Sequence, residues 1–433
     1  MRVLWITHDL FEVFLPFVKG KPTKGGSWIA PLFYSIQKKT NITLGSVTPV
    51  IGGKQQKQII DDVTYYSVGI DKNENKTKMN KRLVNSYMSA IDDFKPDIVH
   101  VHGTENNFGL LRKYIDANIA VVCSIQGIIT PCLDYLKQSV SSINIGKYRS
   151  IKNRMGRGGV NSSIRKWEKY SDIEKDIFKL NHYFIGRTTW DKACLMEFNE
   201  KAEFFHGEEL LRSQFYSSSW SIDQCERYRI FVSSAAYPLK GFHVLLHALA
   251  ILKKRYSHVK VVAPLSSIDQ MSSRVKDFMM AEDYDNYIKS EIKKLKLEDN
   301  VIFQKKLSAG EMAIQYCKAH VFVLPSFIEN SPNSLGESMM IGTPSVVAPV
   351  GGVISIVSDN ESSLLFPCGD HASLAFQIGR IFDDDNLAVK ISNNAREIAR
   401  RRHDVQKVTD QYLSIYSEII KLHYESSTNT PRT

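Results

Sequence analysis

The sequence is poor in cysteine, in long apolar runs and, over one segment, in acidic residues. Its six cysteines lie far apart in 433 residues without a CxxC pair, which favours a reduced, cytoplasmic protein. No window approaches the roughly 18 uninterrupted apolar residues of a membrane-spanning helix. The charged start Met1–Asp9 breaks off before a signal-peptide core could form. Any membrane contact is therefore expected to be peripheral.

The composition is that of an ordinary globular protein. Hydrophobic residues make up 43% of the chain and charged residues 24%, which excludes a coiled coil, a collagen-like fibre or wholesale disorder. The formal net charge of +10 permits anionic partners without choosing among them. Most of it comes from the stretch Lys137–Tyr170, in which nine basic residues face the single acid Glu168. That stretch is interpreted as a solvated loop or as a contact for an anionic membrane surface or acceptor.

Short β-branched runs alternate with amphipathic stretches along the whole chain, as in a parallel sheet covered by helices. The first series of predicted strands is Arg2–Thr7, Ile42–Val47, Val63–Val68, Ile98–His102, Ile119–Ser124 and Tyr183–Ile185. The second series is Arg229–Ser233, Val259–Ala263, Val301–Gln304, Val321–Leu324 and Ser345–Ala348. The sequence therefore predicts an α/β protein with two Rossmann-like, doubly wound domains.

The domain limits are predicted where the alternation of strands and helices stops. It is lost between Leu211 and Arg227, so residues 1–215 are predicted as one domain and residues 216–402 as a second. From Asp385 to Tyr424 the pattern is continuously helical, and residues 403–424 are assigned to a C-terminal helix. The polar residues 425–433 are predicted to be a disordered tail.

The strongest local pattern follows the predicted strand Val321–Leu324. It places Glu329 in a loop and Glu337 eight positions later, about one turn into a helix that Asn333 or Ser334 would cap. A carboxylate accepts two hydroxyl hydrogen bonds and so suits a ribose or a hexose, while free amides at a helix start suit phosphate. A solvated acid in the first helical turn is the ordinary alternative for Glu337.

These residues resemble a known family. The spacing of Glu329 and Glu337 matches the E-x7-E motif of GT-B glycosyltransferases of family four, also called group 1. Other matches occur in the same order, and the resemblance is dense from Ile230 to about Asn394. They are PDIVHVHG at 96–103, the glycine-rich 24–27, Lys240-Gly241 and the glycines of 349–352. The resemblance implies two domains that face each other across a cleft, with the donor held mainly by the second and the acceptor by the first. It also implies that the C-terminal helix, residues 403–424, crosses back to the first domain.

The resemblance also implies roles for individual residues. Glu337 would bind the nucleotide ribose, Glu329 would contact the donor sugar, and Lys240 would neutralise the donor diphosphate. A lysine at a strand-to-helix turn suits charge that builds on a leaving phosphate. The expected catalytic residues are Glu329, Lys240 and Arg187. The expected donor-binding residues are Glu337, Asn330, Ser331, Asn333, Ser334, Gly351, Gly352, Gly25 and Gly26.

Two positions depart from the family pattern. Ala235 stands where members usually carry an arginine, five residues before the lysine, and Arg187 is the candidate substitute. A structural salt bridge is the equal alternative for Arg187. Gln126 stands where many relatives have a histidine, so it cannot act as a base but can hydrogen-bond a sugar. His102, at the end of the neighbouring strand, is expected to contact the acceptor or the sugar, or to be structural.

The predicted activity is transfer of a sugar from a nucleotide diphosphate sugar to a glycan or lipid-linked acceptor, in surface polysaccharide biosynthesis. Retention of configuration and the absence of an obligatory metal or other cofactor are implied by the resemblance. His243 and His247 lack the glutamate and third ligand of a zinc site. Three alternatives remain open: a non-hydrolysing nucleotide-sugar epimerase of the same fold, a catalytically weak nucleotide-binding protein, and a nucleic-acid binder. The last lacks a recognisable reading module.

Overall fold

The computed structural model describes residues 1–22, 29–72, 78–141, 143–156, 158–264 and 282–428. The chain forms two compact units. The first unit comprises Met1–Thr130, Lys169–Leu210 and the chain from His403 onward. The second comprises Pro131–Glu168 and Leu211–Arg402.

The first unit is built on one mostly parallel sheet. Its described strands are β1 (Arg2–Ile6), β2 (Lys21–Pro22), β3 (Thr43–Ile51), β4 (Gln56–Ile60), β5 (Val63–Ile70), β6 (Ile98–His102), β7 (Ala120–Ser124), β8 (Tyr183–Gly186) and β9 (Glu203–His206). The strand order is β4-β5-β3-β1-β6-β7-β8-β9, and β2 pairs with β3. Of these pairings, β2 with β3 and β4 with β5 are antiparallel and the others are parallel.

Helices cover both faces of this sheet. Along β1, Val3 and Trp5 join one apolar cluster while Leu4 and Ile6 join another, as the two-residue period of a strand requires. The helices of this unit are α1 (Ala30–Gln37), α2 (Lys81–Phe94), the first residues of α3 (Ile129–Ser141), the later part of α5 (Gly159–Leu180) and α6 (Thr189–Phe198). Short 3₁₀ helices lie at Glu12–Phe17 and Asn107–Lys113.

The second unit has a fully parallel sheet. Its described strands are β10 (Arg229–Phe231), β11 (Lys260–Pro264), β12 (Val301–Gln304), β13 (Val321–Leu324), β14 (Ser345–Val347) and β15 (Leu364–Leu365), in the order β12-β11-β10-β13-β14-β15. Its helices are α4 (Ile151–Arg154), α7 (Ser213–Ser217), α8 (Phe242–Leu252), α9 (Asp283–Lys294), α10 (Ala309–Lys318), α11 (Asn333–Ile341), α12 (His371–Asp383) and α13 (Asp385–Arg402). Its 3₁₀ helices are Ile145–Tyr148, Pro238–Lys240 and Gly351–Ser355. The predicted fold class, two doubly wound α/β units, is confirmed.

Residues 131–168 belong to the second unit, whereas the sequence assigned them to the first domain. Ile143, Ile145 and Val160 are buried in the core of the second unit. Polar contacts hold the same segment: Lys152 pairs with Glu282 at 2.7 Å, and the carboxylates of Glu282 and Asp283 accept hydrogen bonds from the amides of Gly159 and Val160. Composition alone gave no sign of this packing partner.

The C-terminal helical region is broken once. Helix α13 ends at Arg402, and α14 (Val405–Thr428) begins after Asp404, whose carboxylate accepts a hydrogen bond from the Lys407 amide at 2.8 Å. Helix α14 belongs to the first unit and packs against α1. It continues to Thr428, so residues 425–428, which were predicted to be part of a disordered tail, are helical. No helix in the described ranges has the length and apolar content to cross a membrane.

Candidate functional site

The predicted donor residues of the second unit follow three neighbouring strands. Strand β13 pairs in parallel with β10 on one side and with β14 on the other. Lys240 lies in the loop after β10, Glu329 in the loop after β13, and Gly351 after β14. Because the carboxyl ends of parallel strands meet at one edge, these loops meet in space, and this is the edge at which open α/β sheets bind ligands.

Gly241 is what lets the first two loops touch. Its φ is +67°, and a Cβ at this position would lie 1.8 Å from the carbonyl oxygen of Pro325. The Phe327 amide donates a hydrogen bond to the Leu239 carbonyl at 2.9 Å, which joins the two loops through their backbones. Only glycine adopts this backbone conformation without strain and leaves room for the approach. Lys240 is thereby fixed beside the loop that carries Glu329.

Lys240 and Glu329 form an ion pair. The Lys240 Nζ lies 2.6 Å from Glu329 Oε1, and the Ser326 hydroxyl donates to the same oxygen at 2.6 Å. Burial acts to lower the pKa of Lys240, but the adjacent Glu329 carboxylate outweighs it and raises the pKa. Lys240 is therefore a cation at neutral pH, as a group that stabilises a leaving diphosphate must be.

Gly351 and Gly352 support the backbone of Glu329. The Gly352 amide donates to the Glu329 carbonyl at 3.0 Å, and a Cβ on Gly351, whose φ is +53°, would lie 2.2 Å from that same oxygen. In this structure the two glycines thus hold the loop that carries Glu329. Their expected contact with the donor remains a prediction.

Glu337 lies in the second turn of α11. The helix begins after Pro332, so neither Asn333 nor Ser334 is the capping residue that the sequence predicted. Arg212 donates from Nη2 to Glu337 Oε1 at 2.6 Å, and the Tyr316 hydroxyl lies 3.2 Å from Oε2. Side-chain exposure is 34% for Arg212 and 7% for Glu337. Glu337 is therefore a mostly buried carboxylate that Arg212 and Tyr316 contact. It is not the solvated first-turn acid of the alternative interpretation.

The residues between the two glutamates are buried but differ in their contacts. Asn330 and Ser331 are each less than a tenth exposed, at 8% and 9%. Arg402 Nη2 lies 3.3 Å from the Ser331 hydroxyl. The carbonyl of Ser334 accepts a hydrogen bond from the Tyr316 hydroxyl at 2.9 Å, which ties the start of α11 to the tyrosine beside Glu337.

In the first unit, His102, Gln126 and Arg187 also follow adjacent strands. His102 ends β6, while Gln126 and Arg187 come just after β7 and β8. All three line one small depression. Its wall is completed by Ile29, Leu32, Ser124, Ile125, Ile185, Gly207, Glu209, Leu210 and Tyr412. The predicted sugar-contact residues of this unit are thus brought together.

The two histidines of β6 differ in their partners. His100 lies between the Ser124 hydroxyl, at 2.6 Å, and the Tyr416 hydroxyl, at 2.7 Å. Burial lowers the pKa of His100 to about 3. Burial, together with nearby His100, also lowers the pKa of His102, whose Nε2 has no hydrogen-bond partner among the described residues. Its Nδ1 lies 3.4 Å from Gln126 Nε2. His102 is a neutral ring with hydrogen-bonding capacity to spare.

Arg187 takes the structural arrangement that the sequence left as an equal alternative. Its guanidinium pairs with Glu209, both side chains being 7% exposed, and it donates to the Gln126 carbonyl at 2.9 Å. Its pKa stays raised because the carboxylate charges of Glu209 and Asp191 outweigh burial. The suggested role at the donor diphosphate remains a prediction. Gly25 and Gly26 lie outside the described residues.

Sequence reasoning missed several partners of the predicted residues. They are Arg212, Tyr316, Ser326, Arg402 and Glu209. Arg212 lies in the segment where strands and helices no longer alternate, and it was assigned to the first domain. No sequence pattern therefore linked it to Glu337. Ser326 lies only three residues before Glu329, so it is the one partner that spacing along the chain could have found.

The basic stretch Lys137–Tyr170 is partly neutralised within the structure. Lys137 pairs with Glu168 at 3.1 Å and Lys152 with Glu282 at 2.7 Å. Two apolar side chains in the same stretch are exposed, Ile151 by 41% and Met155 by 64%. The described residues up to Glu168 are thus a packed part of the second unit with exposed basic and apolar side chains. The solvated, mobile loop of the alternative interpretation is not observed for them.

Comparison with known proteins agrees with these observations. Residues 216–398 match the family described as glycosyl transferases group 1. An uncharacterized glycosyltransferase of Methanocaldococcus jannaschii is 21% identical over 74% of this chain and 75% of its own length. The capsular polysaccharide biosynthesis glycosyltransferase CapM of Staphylococcus aureus is 23% identical, over 42% of this chain and 44% of its own.

Solved structures resemble nearly the whole chain. Sucrose-phosphate synthase of Thermosynechococcus elongatus aligns with a TM-score of 0.69 and 15% identity, over 97% of this chain and 99% of its own. HepE of Anabaena, in complex with UDP-glucose, aligns with a TM-score of 0.63 and 14% identity, over 96% and 100%. Residues 216–398 are thus similar to the group 1 glycosyltransferases, and the chain, with its two mainly parallel sheets, has the GT-B fold.

Proposed function

We propose that the protein transfers a sugar, with retention of configuration, from a nucleotide diphosphate sugar to a hydroxyl of a glycan or lipid-linked acceptor. The observation that carries this proposal is the ion pair of Lys240 and Glu329, at 2.6 Å, beside the helix of Glu337. These residues lie in the part of the chain that matches the family. The spacing of Glu329 and Glu337 is the one that the resemblance assigns to donor recognition.

The donor chemistry follows from charge. In the reaction the bond from the anomeric carbon to the diphosphate breaks, a bond from that carbon to the acceptor oxygen forms, and the acceptor proton is released. Negative charge therefore grows on the diphosphate, where the Lys240 cation stabilises it. The buried Glu337 carboxylate accepts hydrogen bonds from ribose hydroxyls. Glu329, freed in part from Lys240, accepts hydrogen bonds from the donor sugar.

We propose that the reaction requires no metal ion. Lys240 and the amides at the start of α11 supply the positive charge that a divalent ion would otherwise provide. Arg212 adds a second cation next to Glu337. Within the described ranges, histidine, cysteine and carboxylate side chains form no group of three that could hold a metal ion. The proposal of metal independence rests on the cations that are present.

The proposed sugar or acceptor contact in the first unit uses a neutral surface. His102 and Gln126 both line the depression, and the His102 Nε2 has no hydrogen-bond partner among the described residues. Neutral donors and acceptors suit sugar hydroxyls. The basic stretch Lys137–Tyr170 is proposed to contact an anionic acceptor or membrane surface at the cytoplasmic face.

A role in surface polysaccharide synthesis is supported by the likeness to CapM, whose name states that role for CapM itself. The donor is proposed to be a UDP-sugar because HepE was solved with UDP-glucose.

The experiment is an acceptor-dependent release assay. Purified protein is incubated with UDP-glucose and other nucleotide sugars in EDTA, with and without glycan or lipid-linked acceptors, and released nucleotide diphosphate and glycoside are measured. Acceptor-dependent release and an anomeric configuration equal to that of the donor, read by NMR, support the proposal. A nucleotide sugar changed without acceptor would assign an epimerase, and nucleotide binding without turnover would assign a binding protein.

A further inference from the structure

Another depression of the first unit lies at the amino ends of two strands. Its volume is about 460 Å³, which is within the usual range of small-molecule sites. Its wall comes from α1, the starts of β3 and β5, the hairpin turn before β5 and the 3₁₀ helix Glu12–Phe17. The polar side chains that line it are Tyr34, Gln37, Lys38, Asp61, Asp62 and Tyr65.

This depression is separate from the one that His102 and Gln126 line. His102 ends β6 and Gln126 comes just after β7, whereas Ile42 and Asp62 immediately precede β3 and β5. Strands β5, β3, β1, β6 and β7 pair in parallel in this order. The two depressions therefore lie toward opposite edges of one sheet, and the second is not part of the proposed transfer site.

A buried tyrosine lines this second depression. Tyr65 is only 1% exposed, and its ring stacks on Phe14 with ring centroids 5.5 Å apart. Burial raises the pKa of Tyr65, and nearby Tyr34 and Asp61, which line the same depression, raise it further. Tyrosine hydroxyls usually have a hydrogen-bond partner when buried. Among the described residues, no hydrogen bond is made by the Tyr65 hydroxyl, which leaves it to bond a molecule in the depression.

Two carboxylates lie on the rim, on the turn between β4 and β5. Asp61 and Asp62 have φ values of +48° and +63°, and Ile60 pairs with Val63 across the turn. Gln37 Nε2 donates to the Asp61 carbonyl at 3.0 Å, which ties the turn to α1. Asn-Gly is the usual sequence of such a turn, so its conformation does not explain two exposed acids.

The charges of the depression disfavour an anionic ligand. Burial raises the pKa of Tyr34, and the nearby Glu12 carboxylate raises it further, so a third acid lies close to Asp61 and Asp62. Lys38 is the lysine of the lining. Three carboxylates and one ammonium group repel phosphates and nucleotides. The same carboxylates can each accept hydrogen bonds from two hydroxyls.

We propose that this depression is a binding site for a neutral saccharide, with Asp61, Asp62 and Tyr65 hydrogen-bonded to its hydroxyls. A hydroxyl-rich ligand suits the mixture of groups, because tyrosine and glutamine side chains both donate and accept while the carboxylates accept. Apolar walls with a few placed polar groups are typical of small-molecule sites, and Leu44 and Val63 supply apolar surface here.

This site goes beyond the proposed function and does not depend on it, since it would bind a saccharide without any nucleotide. One extension does rest on the proposed function: the bound saccharide would be a part of the glycan acceptor away from the hydroxyl that receives the sugar.

The test is saturation-transfer NMR of the full chain, without nucleotide, with the methyl glycosides of glucose, galactose, mannose and N-acetylglucosamine. We expect at least one to bind. Tyr65→Phe, which removes only the hydroxyl, should weaken binding by about fivefold. The double substitution Asp61→Asn and Asp62→Asn suits the left-handed backbone and should weaken it by about tenfold or more. The matched controls Tyr114→Phe and Asp92→Asn change exposed residues outside the depression and should leave binding unchanged.

Circular dichroism and UDP binding are measured on every variant, so a folding defect or a failed donor site is recognised separately. The proposal is overturned if none of the four glycosides binds, or if the variants of Tyr65 and of the two aspartates bind as wild type. Loss of binding in Gln126→Ala alone would assign the saccharide to the other depression. Ethanolamine that binds as tightly as the glycosides and displaces them would make this a cation site and overturn the proposal.

Discussion

Lys240 and Glu329 form an ion pair across 2.6 Å. The lysine comes from the loop after β10 and the glutamate from the loop after β13, and Gly241 allows the two loops to meet. Under the proposed function, an incoming diphosphate would compete with Glu329 for the lysine. The pair would then hold the cation in position for the donor and release a carboxylate for the sugar.

Removal of the lysine should impair both donor affinity and turnover. Because it withdraws a charge-assisted contact to the diphosphate, Lys240→Ala should weaken donor binding by about tenfold or more and also lower kcat. Glu329→Ala should lower kcat while affinity changes less. Calorimetry and steady-state kinetics measure the two effects. Lys318→Ala, which removes an exposed lysine paired with Glu226, is the control and should behave as wild type. Wild-type kinetics in both site variants would refute the assigned roles.

Arg212 and Glu337 should be coupled in donor binding. Glu337→Ala removes the proposed ribose acceptor, and Arg212→Ala removes the cation 2.6 Å from it, so each should weaken nucleotide diphosphate binding by about tenfold. In a double-mutant cycle the two losses should not add. Arg227→Ala, which breaks the exposed pair with Asp385 in the same unit, should leave affinity unchanged. Strictly additive losses would show that the contact does not act in binding.

Gly241→Ala should destabilise the protein and displace Lys240. A Cβ there would meet the Pro325 carbonyl at 1.8 Å, and the backbone is in the left-handed region, so the loss of stability should exceed about 2 kcal/mol. Gly310→Ala is the matched control, because a Cβ at this helical position meets nothing within 4 Å. It should raise the free energy of unfolding by at most about 1 kcal/mol. Denaturant unfolding gives both values. Equal stability of the two variants would contradict the close approach of the loops.

Glu174 should make stability fall as pH rises from about 4.5 to about 7. Burial raises its pKa to about 7, although the amides of Ile129 and Thr130 and the Thr130 hydroxyl donate to it. The folded state holds a proton that the unfolded chain, with a pKa of 4.5, has lost. The group therefore favours folding fully below pH 4.5, and its contribution falls until about pH 7 by up to about 1.4 kcal/mol per pH unit.

Glu174→Gln should remove that slope, whatever its effect on absolute stability. The readout is the difference in unfolding free energy between the variant and wild type, followed from pH 4.5 to pH 8. Parallel curves over this range would mean that Glu174 titrates normally in the folded state.

Much of the fold could be predicted because buried parallel strands are continuous apolar runs. Ile98–His102, Val301–Gln304 and Val321–Leu324 were predicted with the bounds that the structure has. The edge strand Gln56–Ile60 was missed, since its residues are polar and its partner is local. The Asp61-Asp62 turn, with φ values of +48° and +63°, is a hairpin turn that the sequence alone could have suggested.

The candidate site was less predictable, for a physical reason. Spacing along one loop and helix located Glu329 and Glu337, because both lie within nine residues of a single motif. Their partners Lys240 and Arg212 come from segments 89 and 125 residues away. Only the packing of the folded chain brings such segments together. No local pattern of charge or hydrophobic periodicity indicates which distant segments will meet.

The most direct test of the donor site is thermal stabilisation by UDP, GDP, ADP, CMP and their sugar conjugates with EDTA present. A ligand that binds only the folded state stabilises it by roughly 2.7 kcal/mol at a hundred times its Kd. We expect one nucleotide diphosphate to raise the Tm of the wild type and of Arg227→Ala but not that of Glu337→Ala. A Tm unchanged by every nucleotide, or raised equally in Glu337→Ala, would contradict the proposed donor site.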